Sequence, residues 1–186
     1  IDLPGEAKGI IKKPESITDL DLATISFGQT NTVSSIQYIT ALNAVANGGK
    51  LIKPHVLKEV AHYDERTNKE ETDKKYNNTE GKQILDENTC TVLRSYLEKV
   101  VSEGGGKKAF IEGYHIGGKT GTAQKVIGGR YGEGKYISSF GGMAPADNPK
   151  ITLFVSIDEP DPSNYYAGQI TAPVAHLLIL MHLQRK

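Results

Sequence analysis

Apolar residues recur at every third or fourth position through Ile36, Ile39, Leu42, Val45 and Ala46, the spacing of a helix with one buried stripe. Ser34 stands three residues before Gln37, a capping box in which each side chain satisfies a free backbone N–H of the other residue. A helix is therefore predicted from there to about Asn47, where Asn47-Gly48-Gly49 tolerates the left-handed backbone that ends it. A second helix is predicted from near Asp86, with Val92, Leu93, Tyr96, Leu97, Val100 and Val101 on its apolar face and Gly104-Gly105-Gly106 as its stop. A third takes Thr171 as its cap and turns Val174, Leu177, Leu178 and Met181 toward the core. Three strands are predicted between the last two helices, at about residues 114–126, 136–143 and 151–157. The linkers, Gly128-Gly129-Arg130-Tyr131-Gly132 and Pro145-Ala146-Asp147-Asn148-Pro149, are too short for parallel crossovers, so the strands form an antiparallel meander. Residues 1–31 read as loop around a short apolar stretch at Leu20-Asp21-Leu22-Ala23, and residues of about 51–84 read as a polar, solvated hairpin excursion. The expected class is α+β, a small antiparallel sheet packed with helices.

Composition narrows the function. The chain has 186 residues, with 22 Lys plus Arg against 22 Asp plus Glu. That zero balance argues against a nucleic-acid binder relying on a broad basic surface. No apolar run approaches the roughly 20 residues of a membrane span. Cys90 is the single cysteine and fits no metal-ligand spacing, and the five histidines are scattered. Neither a metal nor a cofactor is expected. Cys90 reads as a core filler beside a helix's apolar face. Asp158 and Glu159 are consecutive strand residues, expected to point to opposite faces and not to work as an acid–base pair.

Gly113-Tyr114-His115-Ile116-Gly117-Gly118-Lys119-Thr120 matches the phosphate-binding pattern G-x-x-x-x-G-K-[ST] letter for letter. A P-loop nucleotide-binding protein would need a helix to begin at Lys119. The glycines and β-branched residues that follow (Gly121, Thr122, Val126, Gly128, Gly129) speak against one. Shifted by a few positions, Lys119-Thr120-Gly121-Thr122 reads as the lysine-threonine-glycine element of serine acyl-transfer enzymes. An edge strand carrying it suits an extended peptide, which can add to unpaired backbone groups as another strand. Gly121 lets a ligand approach the backbone, Lys119 offers a positive charge, and Thr122 offers a hydroxyl and an N–H. By itself such a tetrapeptide is most simply a plain solvent-facing strand.

The surrounding motifs change that reading. Ile1-Asp2-Leu3-Pro4-Gly5-Glu6, Ser26-Phe27-Gly28-Gln29, Gly117 to Lys125, Ser139-Phe140-Gly141-Gly142-Met143-Ala144-Pro145-Ala146-Asp147-Asn148-Pro149, Ile157-Asp158-Glu159-Pro160 and Tyr166-Ala167-Gly168 occur in that order. The set resembles the class B penicillin-binding proteins, the D,D-transpeptidases of division, elongation and sporulation, over nearly the whole chain. The resemblance implies a penicillin-binding and serine β-lactamase-like transpeptidase fold. In it Lys119 would shape the electrostatics of the site, with Thr120 and Gly121 beside it. Thr122 would bind the substrate or β-lactam carboxylate and lend its N–H to the oxyanion hole, and Gln124 would sit near the cleft.

The resemblance also implies peptidoglycan stem peptides ending in D-Ala-D-Ala, and β-lactams, as the molecules bound, and the extracytoplasmic face of a bacterial membrane as the location, with an N-terminal anchor helix absent from these residues. The family's nucleophile belongs to an S-x-x-K element. No serine from Ser16 to Ser163 is followed by Lys at the third position or by Asn at the second. The expectation is that residues 1–186 are the C-terminal portion of one transpeptidase domain, that the missing N-terminal half is its partner, and that the chain alone is inactive and self-associates. A non-catalytic sensor or binding module of the same fold is the other reading. Two departures stand out: Thr30 where the family often has Gly, and Gly142 where a bulkier apolar residue is usual.

Overall fold

In the computed structural model the described residues are 1–76 and 81–184, so part of the expected excursion, residues 77–80, lies outside them. The elements run α1 (Asp19–Ile25), α2 (Ser35–Ala46), β1 (Lys50–Leu51), β2 (Glu59–Asp64), β3 (Lys69–Lys75), β4 (Lys82–Gln83), α3 (Glu87–Ser102), β5 (Gly117–Ile127), β6 (Arg130–Ala144), β7 (Ile151–Asp158) and α4 (Ala167–Leu183). The main sheet is the antiparallel meander β5-β6-β7. Helices and small antiparallel sheets make the class α+β, as expected. The polar excursion forms the β2–β3 hairpin, whose stem is closed by the two-residue pairing of β1 with β4.

Local signals placed two helices to within a residue. Ser34 and Gln37 form the reciprocal capping box of α2, and the Asp86 carboxylate accepts from Thr89 N–H to start α3. The short apolar stretch near the N-terminus, expected as loop, is α1. Thr18 and Asp21 make its own capping box, and Lys12 donates to Asp21 at 2.6 Å.

Register decides which side of the main sheet is covered. Gly118, Thr120 and Thr122 pair with Gly142, Phe140 and Ser138, and strand alternation puts all six on one face. On that face Phe140, Ala144 and Ile116 join Val101 and Ala109, with Ala172, Ala175 and Ile179 of α4. Phe140 leaves no room beside its ring: a Cβ at Gly118 would lie 2.3 Å from it and one at Gly142 2.6 Å. Gly142 is therefore a packing requirement of this chain's own core. The opposite face is covered only in part. Tyr38 of α2 lies over Gly141, packs on Phe154 with centroids 4.8 Å apart, and is accompanied by a Thr152 to Asn43 hydrogen bond of 2.6 Å.

Four expectations are corrected. The middle strand begins at Arg130, six residues earlier than expected, because Gly128 and Gly129, both at positive φ, turn the hairpin by themselves. Thr171 does not cap α4; it is buried inside the helix and donates to Ala167 O at 2.9 Å, while Tyr166 is the cap residue. The inward face of α4 is Ala167, Thr171, Ala172, Ala175 and Ile179, whereas Leu177 and Met181 are 58% and 53% exposed. The reason is close approach. A Cβ at Gly168 would sit 2.7 Å from Gly105 O, so the helix comes in on its small residues and its large ones turn outward. The α3 stripe is likewise rotated, with Cys90 and Val101 buried and Val92, Leu93 and Tyr96 exposed. Burial pushes the Cys90 thiol up, which suits a core filler. No helix among the described residues is long and apolar enough to cross a membrane.

Thr30 is held at φ 74°, a conformation that costs a non-glycine residue about 1–2 kcal/mol. Its hydroxyl is 2.6 Å from that of Thr24, which offsets part of that cost. Thr30→Ala keeps the strain and loses this bond, whereas Thr30→Gly relieves the strain. In urea melts the glycine variant should exceed the alanine variant by about 1 kcal/mol; equal stabilities would show that the loop is not strained. The outward stripe of Val174, Leu177, Leu178 and Met181 should drive the isolated chain to associate. Sedimentation across a concentration series should show mass rising in the wild type and not in Leu177→Glu/Met181→Glu, and a strictly monomeric wild type would refute this.

Candidate active site

Strand β5 lies at the edge of the main sheet, so among the described residues one side of its backbone has no strand partner. Lys119 and Gly121 pair with Gly141 and Ser139 and share the incompletely covered face. Lys119 is exposed, and its ammonium is folded back to donate to Thr120 O at 2.8 Å. Beside it, the Tyr38 ring occupies the space that Gly141 leaves empty, and burial raises the Tyr38 phenol above its ordinary range. A Cβ at Gly121 would lie 2.8 Å from Ser139 Oγ, so the missing side chain keeps this strip of backbone open.

Thr120 and Thr122 face the other way, into the packed layer. Thr122 Oγ1 accepts the backbone N–H of Ala167, the first residue of α4, at 3.0 Å. Ser138, directly across from Thr122, is buried and donates its hydroxyl to Tyr165 O. Tyr165 stacks on Tyr136 at 3.9 Å and on Tyr166 at 4.5 Å. Gln124 pairs with Tyr136 and donates to Gly132 O at 3.0 Å, bracing the β5–β6 hairpin.

Lys119, Thr120, Gly121, Thr122 and Gln124 thus share one edge strand, with Lys119 and the threonines on opposite faces. The phosphate-loop reading of Gly113 to Thr120 is overturned. From Gly117 the chain is strand, not helix, so no helix begins at Lys119. Sequence reasoning missed Tyr38, Ser138 and the Ala167 amide. The adjacent Ser138-Ser139 pair in the otherwise apolar stretch of residues 136–144 was the one available signal.

At the far end of β5, Lys125 donates to Asp158 at 2.9 and 3.1 Å and to Glu159 at 2.9 Å, and Lys135 also donates to Glu159. The two carboxylates were expected on opposite faces. They meet one cation because Glu159 leaves the strand at φ 50°, which breaks the alternation. Hydrogen bonds from Lys135, then Lys125, hold the Glu159 carboxyl down at about 2. At the opposite end, just before β5 begins, Glu98 of α3 accepts from His115 at 2.6 Å and raises the imidazole above its ordinary value.

Comparison with known proteins bears on family and fold. The family model described as penicillin binding protein transpeptidase domain matches residues 1–179. Stage V sporulation protein D of Bacillus subtilis is 44% identical over 174 residues, covering 94% of this chain and 26% of that protein. Among solved structures, the transpeptidase domain of Burkholderia pseudomallei penicillin-binding protein 3 superposes with a TM-score of 0.81 at 32% identity, covering 100% of this chain and 52% of that one. Mycobacterium tuberculosis penicillin-binding protein 3, solved with aztreonam, gives 0.82 at 26% identity, covering 99% and 42%. The chain spans about a quarter of the length of the curated relatives it matches.

Because the folded-state value of Glu159 is depressed, its stabilisation is complete above the ordinary 4.5 and is lost as pH falls through about 2. The melting temperature of the wild type should exceed that of Glu159→Gln at pH 6, and the gap should close at pH 2. A gap of equal size at both values would mean that the carboxylate charge plays no part.

Proposed function

The chain belongs to the penicillin-binding protein transpeptidase domain family, and from that membership we propose that residues 1–186 form the C-terminal part of one D,D-transpeptidase domain and supply one wall of its acyl-transfer cleft. The observation that carries the proposal is the Lys119-Thr120-Gly121-Thr122 run on an edge strand, with Lys119 exposed and Gly121 open. An extended stem peptide ending in D-Ala-D-Ala would add to the free side of β5 as a further strand. The serine of an S-x-x-K element, absent from these 186 residues, would be supplied by the rest of the protein. It would attack the penultimate D-Ala carbonyl, the terminal D-Ala would leave with a proton, and the acyl-enzyme would pass its acyl group to the amine of a neighbouring peptide.

On this reading each residue has a task. Lys119 brings positive potential to the serine and to the ligand carboxylate. The Thr122 N–H is one donor for the tetrahedral oxyanion, a contribution of about 3–4 kcal/mol in acyl transfer. The Thr122 hydroxyl donates to the carboxylate, Thr120 and Gly121 shape the strand between them, and Gln124 stiffens its far end near the cleft. A β-lactam would occupy the place of the D-Ala-D-Ala terminus and remain as a stable acyl-enzyme. The work site would be the outer face of the cytoplasmic membrane, with an anchor helix outside this chain.

Two measurements test the proposal together. The chain alone, incubated with a penicillin, should show no mass shift in intact-mass spectrometry; a stoichiometric adduct would place a nucleophile within these residues. In the full-length protein, Lys119→Ala should slow acylation by a reporter β-lactam about 10²-fold. Its melting temperature should stay within about 2–4 °C of wild type, as for an exposed substitution. Near wild-type acylation in stopped-flow records would reject the role given to Lys119.

A further inference from the structure

The proposed role of Thr122 requires its hydroxyl to donate, since a carboxylate only accepts. A hydroxyl on a solvated strand could turn either way. Here it cannot. The Ala167 N–H points at Thr122 Oγ1 from 3.0 Å, so the amide takes one lone pair and the hydroxyl proton is driven away from it. The amide is in turn held from below. Ser138, the cross-strand partner of Thr122, is buried to 0% exposure and donates to Tyr165 O, two residues before Ala167. The Tyr165 ring is clamped against Tyr136 at 3.9 Å and 9° between planes. One cross-strand pair therefore grips a three-residue strap at both ends, Ser138 by donating and Thr122 by accepting.

We infer that Ser138 is a positioning residue for carboxylate recognition: through Tyr165 and Ala167 it sets the direction in which Thr122 presents its proton. The inference rests on the assignment of Thr122 to the ligand carboxylate. It separates two steps that a general loss of structure would not separate. Loosening the strap weakens the first, non-covalent encounter with a carboxylate-bearing ligand and leaves the rate constant of the following acyl transfer alone, because the Thr122 N–H stays fixed in the β5 strand.

The test is a double-mutant cycle in the full-length protein, with stopped-flow acylation by a fluorescent penicillin resolving the dissociation constant of the encounter complex from the acylation rate constant. Ser138→Ala should weaken the encounter about fivefold, the scale of one hydrogen bond, with the acylation constant changed less than about twofold. Thr122→Val should weaken it further. Adding Ser138→Ala to Thr122→Val should then have no effect, because the proton that Ser138 aims is gone. Equal effects of Ser138→Ala in both backgrounds would show that it acts through general stability, and no effect in either would show that the strap needs no latch; both overturn the inference while leaving Thr122 in place. Should Thr122→Val bind as tightly as wild type, the carboxylate assignment itself falls, and the inference with it. Melting temperatures of all four proteins, measured alongside, identify any variant that has lost its fold, for which Ser138→Cys provides a second, better-packed replacement.

Discussion

One ring packed against two glycines governs this molecule. Phe140 is fully buried, and it can lie flat on the sheet only because Gly118 and Gly142 carry no side chains where its edge passes. A methyl group at either place would push on a ring walled in by Val101, Ala172 and Ala175, and overpacking of that kind typically costs about 1–3 kcal/mol. The constraint also sets the register. A slip of one residue between β5 and β6 would turn Lys119 into the core and Thr120 out of it. The pairing that seats Phe140 is thus the pairing that exposes Lys119.

Most of what the sequence revealed was local. The Ser34 and Gln37 box lies within one turn, and the Asp86 cap is read from the residues beside it. The meander followed from linker lengths, which are also local. What failed was the choice of faces. Helix α4 is apolar nearly all round, so its spacing could not say which side is inward, and size suggested Leu177 and Met181. The structure instead buries mostly small residues, Ala167, Thr171, Ala172 and Ala175, followed by Ile179, since small residues let the start of the helix reach Gly105 and the Phe140 face. Threonine is a favoured cap residue and proline a favoured first-turn residue, so Thr171 and Pro173 fit a helix start. Pro173 is instead inside a helix that began at Ala167.

The candidate site divides along the same line. Lys119, Thr120, Gly121 and Thr122 were legible because they are consecutive. Their environment was not. Ala167 is 45 residues from Thr122 and Tyr38 is far from Gly141 in sequence, and no spacing rule connects them. The Asp158 and Glu159 reading failed for a different reason: alternation was applied across a residue at φ 50°, where a strand has already ended.

These two faces separate tasks that are usually entangled. On the open face Lys119 contributes nothing to packing, so the strand can carry a charge there without cost to folding. On the packed face Thr122 is bonded to the start of α4, and its partner Ser138 to the residue just before that helix. On the proposed function, a change at Thr122 would disturb both the ligand contact and a helix that covers the core, whereas a change at Lys119 would disturb the first alone. The strand alternation of two residues per repeat is enough to produce this asymmetry. It places an exposed residue, Lys119, three positions from one, Thr122, whose hydroxyl is tied to the fold around it.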